Sequence, residues 1–133
     1  KAAKIFMIEE NGSATQAADY ALRFHNLTHA VIRTGKVETE LPIVLGELKN
    51  EKRIIAIVDP PRDGLKISAL EAIAAEKKTE KLFYLSCLPE SLARDLVLFK
   101  EKGWRIEKVI PFDFFPRTHH LETLVVLRPE VQL

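Results

Sequence analysis

Hydrophobic and polar positions along the chain follow two rhythms. Short apolar runs recur at Lys4–Glu9, Ala30–Arg33, Arg53–Val58 and Lys81–Ser86, and such runs predict strands covered on both faces. Arg53–Val58 is rich in β-branched residues and is the strongest of them. Between the runs, apolar residues fall at three- and four-residue steps, which predicts helices. Ser13-Ala14-Thr15-Gln16 has the form of a capping box with Ser13 as N-cap. Ala17, Tyr20, Ala21 and Phe24 then share one helical face, expected to turn inward, and His25-Asn26 ends the helix. Val37–Leu48 has a weaker helical pattern that Pro42 is expected to interrupt. Ile67–Lys77 places Leu70, Ile73 and Ala74 inward. Pro89–Lys102 places Leu92, Leu96 and Phe99 on one stripe. Pro89 suits its first turn and Gly103 its C′ position. Trp104–Asp113 and Glu122–Leu127 are two further strands with no helix between them. They should pair antiparallel at one edge.

Strand–helix alternation over most of the length predicts an α/β fold. Its sheet is mostly parallel, with helices on both faces and an antiparallel C-terminal strand pair. No repeat, low-complexity tract or linker divides the chain. With 133 residues, 47% of them hydrophobic and 29% charged, it can build the core of one soluble domain. The net charge of +1 offers no electrostatic case for nucleic acid. A single cysteine excludes an internal disulfide and an all-cysteine metal site. No apolar run approaches the ~20 residues of a membrane span, and no signal-peptide pattern is present. Asn26-Leu27-Thr28 fits a glycosylation sequon without any other sign of secretion. The chain opens near a strand without an initiator Met and reads as a piece of something longer.

In parallel sheets the ligand site lies beyond the carboxyl ends of the strands. Glu9, Asp59 and Cys87 each stand just past such an end. Cys87 joins a strand to a helix, and unpaired N–H groups at a helix start favour a thiolate. An inert buried cysteine is the alternative, since free cysteine is among the most buried residue types. Asp59 follows an apolar strand and is expected to be partly buried. Arg62 either binds a phosphate or tethers its loop. Arg94 and Asp95 are neighbours in a helix, where adjacent side chains do not face each other. They either hold the helix through a structural salt bridge or contact substrate. His119 and His120 lack a third ligand at metal spacing. Phe112, Phe114 and Phe115 read as core and loop anchor rather than a base-stacking platform.

Three segments together resemble the RNA 5-methyluridine methyltransferases, S-adenosylmethionine-dependent enzymes acting on tRNA or 23S rRNA. Asp59-Pro60-Pro61-Arg62-Asp63-Gly64-Leu65 is similar to the family's Asp-Pro-Pro-Arg-x-Gly loop. Ser86-Cys87-Leu88-Pro89-Glu90-Ser91-Leu92-Ala93-Arg94-Asp95 is similar to its nucleophile loop Ser-Cys-Asn-Pro-x-Thr-x-x-Arg-Asp. Asp113 to Glu122 is similar to its closing Phe-Pro-x-Thr-x-His-x-Glu. Leu88 stands where the family has Asn, Ser91 where it has Thr, and Lys36 where an acid often faces the adenine. The glycine-rich first motif does not occur.

The resemblance implies a partial Rossmann-like methyltransferase fold: residues 1–133 are the C-terminal portion of the catalytic domain, without its first strand and cofactor loop. It implies a cytoplasmic enzyme that forms 5-methyluridine in tRNA or rRNA, with S-adenosylmethionine as cofactor and RNA as partner of the full-length protein. Cys87 is then the nucleophile that adds to C6 of uracil, and Glu122 the base that removes the C5 proton. Glu9, rather than Glu10, binds the cofactor ribose. Asp59 faces the uracil edge and the cofactor's amino-acid end. Arg62, Arg94 and His120 bind substrate. The piece alone is expected to be inactive. The alternative keeps the fold and drops the chemistry, as a non-catalytic RNA-binding or scaffold domain.

Overall fold

The structure, a computed structural model, describes residues 2–114, 116–118 and 121–130. The chain divides between Asn50 and Glu51 into two compact units.

The first unit runs β1 (Ile5–Glu9), α1 (Gly12–Phe24), β2 (Ala30–Thr34) and α2 (Val37–Glu47). β1 and β2 pair in parallel, from Ile5 opposite Ala30 to Glu9 opposite Thr34. The N-cap of α1 is Asn11 and not Ser13. The Asn11 side chain accepts from the N–H groups of Ser13 (3.0 Å) and Ala14 (3.2 Å). It satisfies two orphan donors two residues earlier than the capping box would. The expected inward face of α1 is also corrected. Tyr20 and Phe24 are 70% exposed and stack on one another, while Ala17 and Ala21 are exposed too. The helix instead turns Thr15 inward, and Thr34 Oγ1 donates to Thr15 Oγ1 at 3.1 Å. That polar link joins the helix to β2. Pro42 does not interrupt α2, which runs through it as one helix. Only the single bond that its nitrogen cannot donate is lost, and the ladder resumes on either side.

The second unit runs β3 (Ile54–Val58), α3 (Ile67–Ala75), β4 (Thr79–Ser86), α4 (Pro89–Glu101), β5 (Trp104–Phe112) and β6 (Glu122–Pro129). Its four strands lie in the order β3-β4-β6-β5. β3 and β4 are parallel, and β6 runs antiparallel to both β4 and β5. The antiparallel terminal pair is as expected. β6, however, enters between β4 and β5 instead of extending the sheet.

The first unit holds a sheet of two strands and the second a sheet of four. A ladder extends only where a neighbour lies about 4.8 Å away. Among the described residues, β1 and β3 each have such a neighbour on one side only.

The core of the second unit is built from Leu70, Leu82, Tyr84, Phe99, Trp104, Val125 and Leu127, all essentially sealed from solvent. Leu70 and Ile73 face inward from α3, and Leu92 and Phe99 from α4, as the spacing predicts. Phe99 and Trp104 meet edge to face with centroids 5.7 Å apart. Trp104 Nε1 donates to the Ala74 carbonyl at 3.2 Å, which ties β5 to the end of α3. Gly103 takes a φ of +80° just after the α4 C-cap, a conformation that favours glycine. No helix among the described residues is long and apolar enough to cross a membrane.

Truncation of Phe99 to Ala should lower the unfolding free energy by about 3–5 kcal/mol, since it removes a buried ring and leaves a cavity. Urea unfolding followed by Trp104 fluorescence measures it; a loss under about 1 kcal/mol would contradict this packing.

Candidate active site

Strand register brings three predicted residues of the second unit to one end of its sheet. Val58, the last residue of β3, lies opposite Tyr84 of β4. Ser86, the last residue of β4, lies opposite Thr123 of β6. Glu122, the first residue of β6, lies opposite Phe112, the last of β5. Asp59 and Cys87 therefore leave the carboxyl ends of two parallel strands, where Glu122 opens the antiparallel one. This is the sheet end at which ligands bind in such folds. Cys87 and Glu122 are half-buried. Asp59 is exposed rather than partly buried. It follows an edge strand of that sheet, which has a neighbouring strand, β4, on one side only.

The joint at Cys87 is tightly bonded. Leu88 is the N-cap of α4 and contributes no side-chain cap. Buried Ser86 braces that residue instead: its Oγ accepts from Leu88 N–H (3.2 Å) and donates to the Leu88 carbonyl (3.0 Å). Ser91 Oγ and the Leu92 N–H donate to the same carbonyl, at 3.1 and 3.2 Å. The backbone on both sides of the sulfur is thus held by hydroxyls that the sequence carries at positions 86 and 91. The amide missing at Leu88 is not needed to start the helix.

Behind the joint lies a fully buried carboxylate. Asp95 Oδ2 accepts from Tyr84 O–H at 2.6 Å and from Leu65 N–H at 2.8 Å. Asp95 Oδ1 accepts from Arg94 Nε (2.9 Å) and Nη2 (2.7 Å). Neighbouring helical residues do meet here, against expectation. The long Arg94 side chain folds back over the inward-facing Asp95 and also donates to the Asp63 carbonyl at 2.7 Å. Burial, and next the bond to Asp95, push the Tyr84 phenol well above its ordinary range. The hydrogen bond to Asp95 likewise raises Arg94. Arg62 is exposed within a turn closed by Gly64 N–H donating to the Pro61 carbonyl at 2.8 Å. A groove of about 250 Å³ beside the clamp is lined by Asp63, Leu65, Lys66, Ile67, Arg94 and Leu98, and by none of Asp59, Cys87 and Glu122.

In the first unit, Glu9 ends β1 with an exposed side chain, and its Oε1 accepts from Asn11 N–H at 2.7 Å. A carboxylate at a strand's carboxyl end suits a ribose diol, which donates two O–H groups. His119, His120 and Phe115 lie outside the described residues. Phe112 and Phe114 stack at 5.3 Å, but Phe114 is 61% exposed, so it anchors a loop and does not join the core. Among the described residues no group of three His, Cys, Asp or Glu side chains could hold a metal.

Sequence reasoning left Asp95 between a salt bridge with Arg94 and a contact to substrate, and gave Tyr84, Gly64 and Leu65 no individual role. One signal was present: Asp95 shares the inward stripe of Leu92 and Phe99, and a charge there requires buried partners.

This Rossmann-like α/β fold is that of S-adenosylmethionine-dependent methyltransferases. A Streptococcus pneumoniae structure, named as a tRNA (m1A22) methyltransferase and solved with S-adenosyl-L-methionine, matches with a TM-score of 0.67 at 14% identity. The match covers 98% of this chain and 57% of that one. The family described as tRNA (Uracil-5-)-methyltransferase matches residues 21–130, and the chain belongs to it. An uncharacterized RNA methyltransferase of Caldanaerobacter subterraneus is 41% identical over 126 residues, and one of Clostridium tetani is 36% identical over 127. These matches cover 95% and 96% of this chain but 27% of each relative, so the chain spans about a quarter of their length.

Because the folded state holds the Tyr84 proton that the unfolded chain releases near pH ~10, stability is complete below that pH and falls as pH rises beyond it. The expected slope is up to about 1.4 kcal/mol per pH unit. Denaturant unfolding of wild type and Tyr84→Phe between pH 9 and 12 checks this; equal slopes for the two proteins would refute it.

Proposed function

We propose that residues 1–133 are the C-terminal portion of the catalytic domain of an S-adenosylmethionine-dependent RNA methyltransferase. The enzyme forms 5-methyluridine in tRNA or rRNA through a covalent bond between Cys87 and the base. The observation that carries this reading is that strand register sets Asp59, Cys87 and Glu122, from three separate stretches of sequence, at the same end of one sheet. The family matched by residues 21–130 supports it.

C5 of uracil is a weak nucleophile. The Cys87 thiolate adds to C6, and the electron pair of the C5–C6 double bond moves toward C5 and O4. S-adenosylmethionine, when bound, supplies an electrophilic methyl group. Once C5 carries the methyl, Glu122 accepts the C5 proton. The electron pair of that C–H bond re-forms the double bond and expels the Cys87 sulfur. Asp59 holds the uracil edge and the amino-acid end of the cofactor, and Glu9 accepts from the ribose hydroxyls. Arg62, Arg94 and His120 contact the RNA. The first sheet strand and the glycine-rich cofactor loop belong to the remainder of the protein, so residues 1–133 alone transfer no methyl group.

The full-length protein, given labelled S-adenosylmethionine and RNA, should form 5-methyluridine, and Cys87→Ala should reduce this to background. RNA containing 5-fluorouridine should become covalently bound to Cys87, because a base can remove a proton from C5 but not fluorine, so the step that expels the sulfur is blocked. Glu122→Gln should slow turnover while adduct accumulates. Undiminished methylation by Cys87→Ala would remove the covalent mechanism. Absence of both product and adduct in wild type would instead favour a non-catalytic RNA-binding or scaffold domain.

A further inference from the structure

The reaction gives Asp95 and Tyr84 no task, yet they form the most completely bonded polar group in the second unit. Three segments converge on the one carboxylate of Asp95. Tyr84 comes from the strand that ends at Ser86. Arg94 and Asp95 come from the helix that begins directly after Cys87-Leu88. The Leu65 N–H comes from the loop that begins at Asp59.

That loop is a stiff arm. Pro60 and Pro61 restrict its backbone, and the Gly64-to-Pro61 bond closes its turn. Its near end continues β3, which is in register with β4. Its far end is pinned at Asp63 by Arg94 and at Leu65 by Asp95. Gly64 has a φ of +77°, and a Cβ there would lie 2.6 Å from Asp95 Oδ2 and 2.5 Å from Arg94 Nη2. The arm is pressed directly onto the clamp. An apolar side chain of similar volume could fill the same space, often at no loss of stability. What a carboxylate adds is direction, since each lone pair must meet its donor.

We propose that Asp95 is a positioning residue. Its carboxylate, oriented by Tyr84, fixes the Asp59–Arg62 arm relative to Cys87, so that the uracil edge and the sulfur are presented to each other in one geometry. The proposal rests on the methyltransferase reading above. Misplacement of a reacting group by about 1 Å can cost on the order of 100-fold in rate.

The test uses the full-length protein and 5-fluorouridine RNA, measuring the single-turnover rate of Cys87 adduct formation, the KM for RNA and the folded fraction. Asp95→Asn keeps the shape but replaces an acceptor with a donor. Its adduct rate should fall roughly 10- to 100-fold, with KM for RNA changed by less than about threefold. Tyr84→Phe, which deletes one bond, should fall less, and Gly64→Ala, whose Cβ would press on Asp95 and Arg94 and so displace the arm while the carboxylate itself stays, should resemble Asp95→Asn. Phe99→Ala, destabilised through packing alone, should keep the wild-type rate per folded molecule. If Asp95→Asn does not fold, Tyr84→Phe and Gly64→Ala decide. Folded clamp variants that react at the wild-type rate, or that lose rate only in proportion to folded protein, overturn the positioning role while leaving the covalent mechanism intact. A wild-type protein that forms no adduct overturns the functional reading, and this proposal with it.

Discussion

A carboxylate sealed from water must be met by donors on every side, because an unpaired buried charge costs more than a small domain can spare. Asp95, at 0% exposure, meets that demand with one phenol, one backbone N–H and one guanidinium drawn from three separate segments. Much of the second unit follows from satisfying it. β4 must place Tyr84 at the level of the second turn of α4, and the loop after β3 must pass close enough to donate from Leu65. The residue before Leu65 must be glycine, because the passage leaves no room for a Cβ.

The second constraint is the place of β6. Entering between β4 and β5, it runs antiparallel to both, so its first residue lies at the end where β4 finishes. Had the last strand simply extended the sheet edge, Glu122 would have been separated from Cys87 by the width of β5. The inserted strand turns a terminal hairpin into a site component. The hydroxyls of Ser86 and Ser91 then hold the turn that presents the sulfur, where the local sequence offers no capping side chain.

The first unit shows where pattern reading misleads. Tyr20 and Phe24 fall on a tidy helical face with Ala17 and Ala21, yet that face is exposed. Apolar spacing identifies a helix but cannot say which of two stripes meets the sheet. Here the stripe that carries Thr15 turns inward, where it meets Thr34 of β2. In the same way Asn11 outcompetes Ser13 as cap because its side chain reaches two free N–H groups at once. Pro42 is carried inside α2 because one missing bond in an otherwise intact ladder does not end a helix.

Element type and order were legible in the chain itself. Apolar runs, three- and four-residue steps, Pro89 at a helix start and Gly103 after a helix end all act through neighbours close in sequence. The nucleophile candidate was legible for the same reason, as the only cysteine at a strand–helix joint. The rotation of α1, the insertion of β6, the open position of Asp59 and the convergence on Asp95 were decided by tertiary structure alone. Each depends on which surfaces meet across tens of residues, and a hydrogen bond between distant segments leaves no periodic trace in either of them.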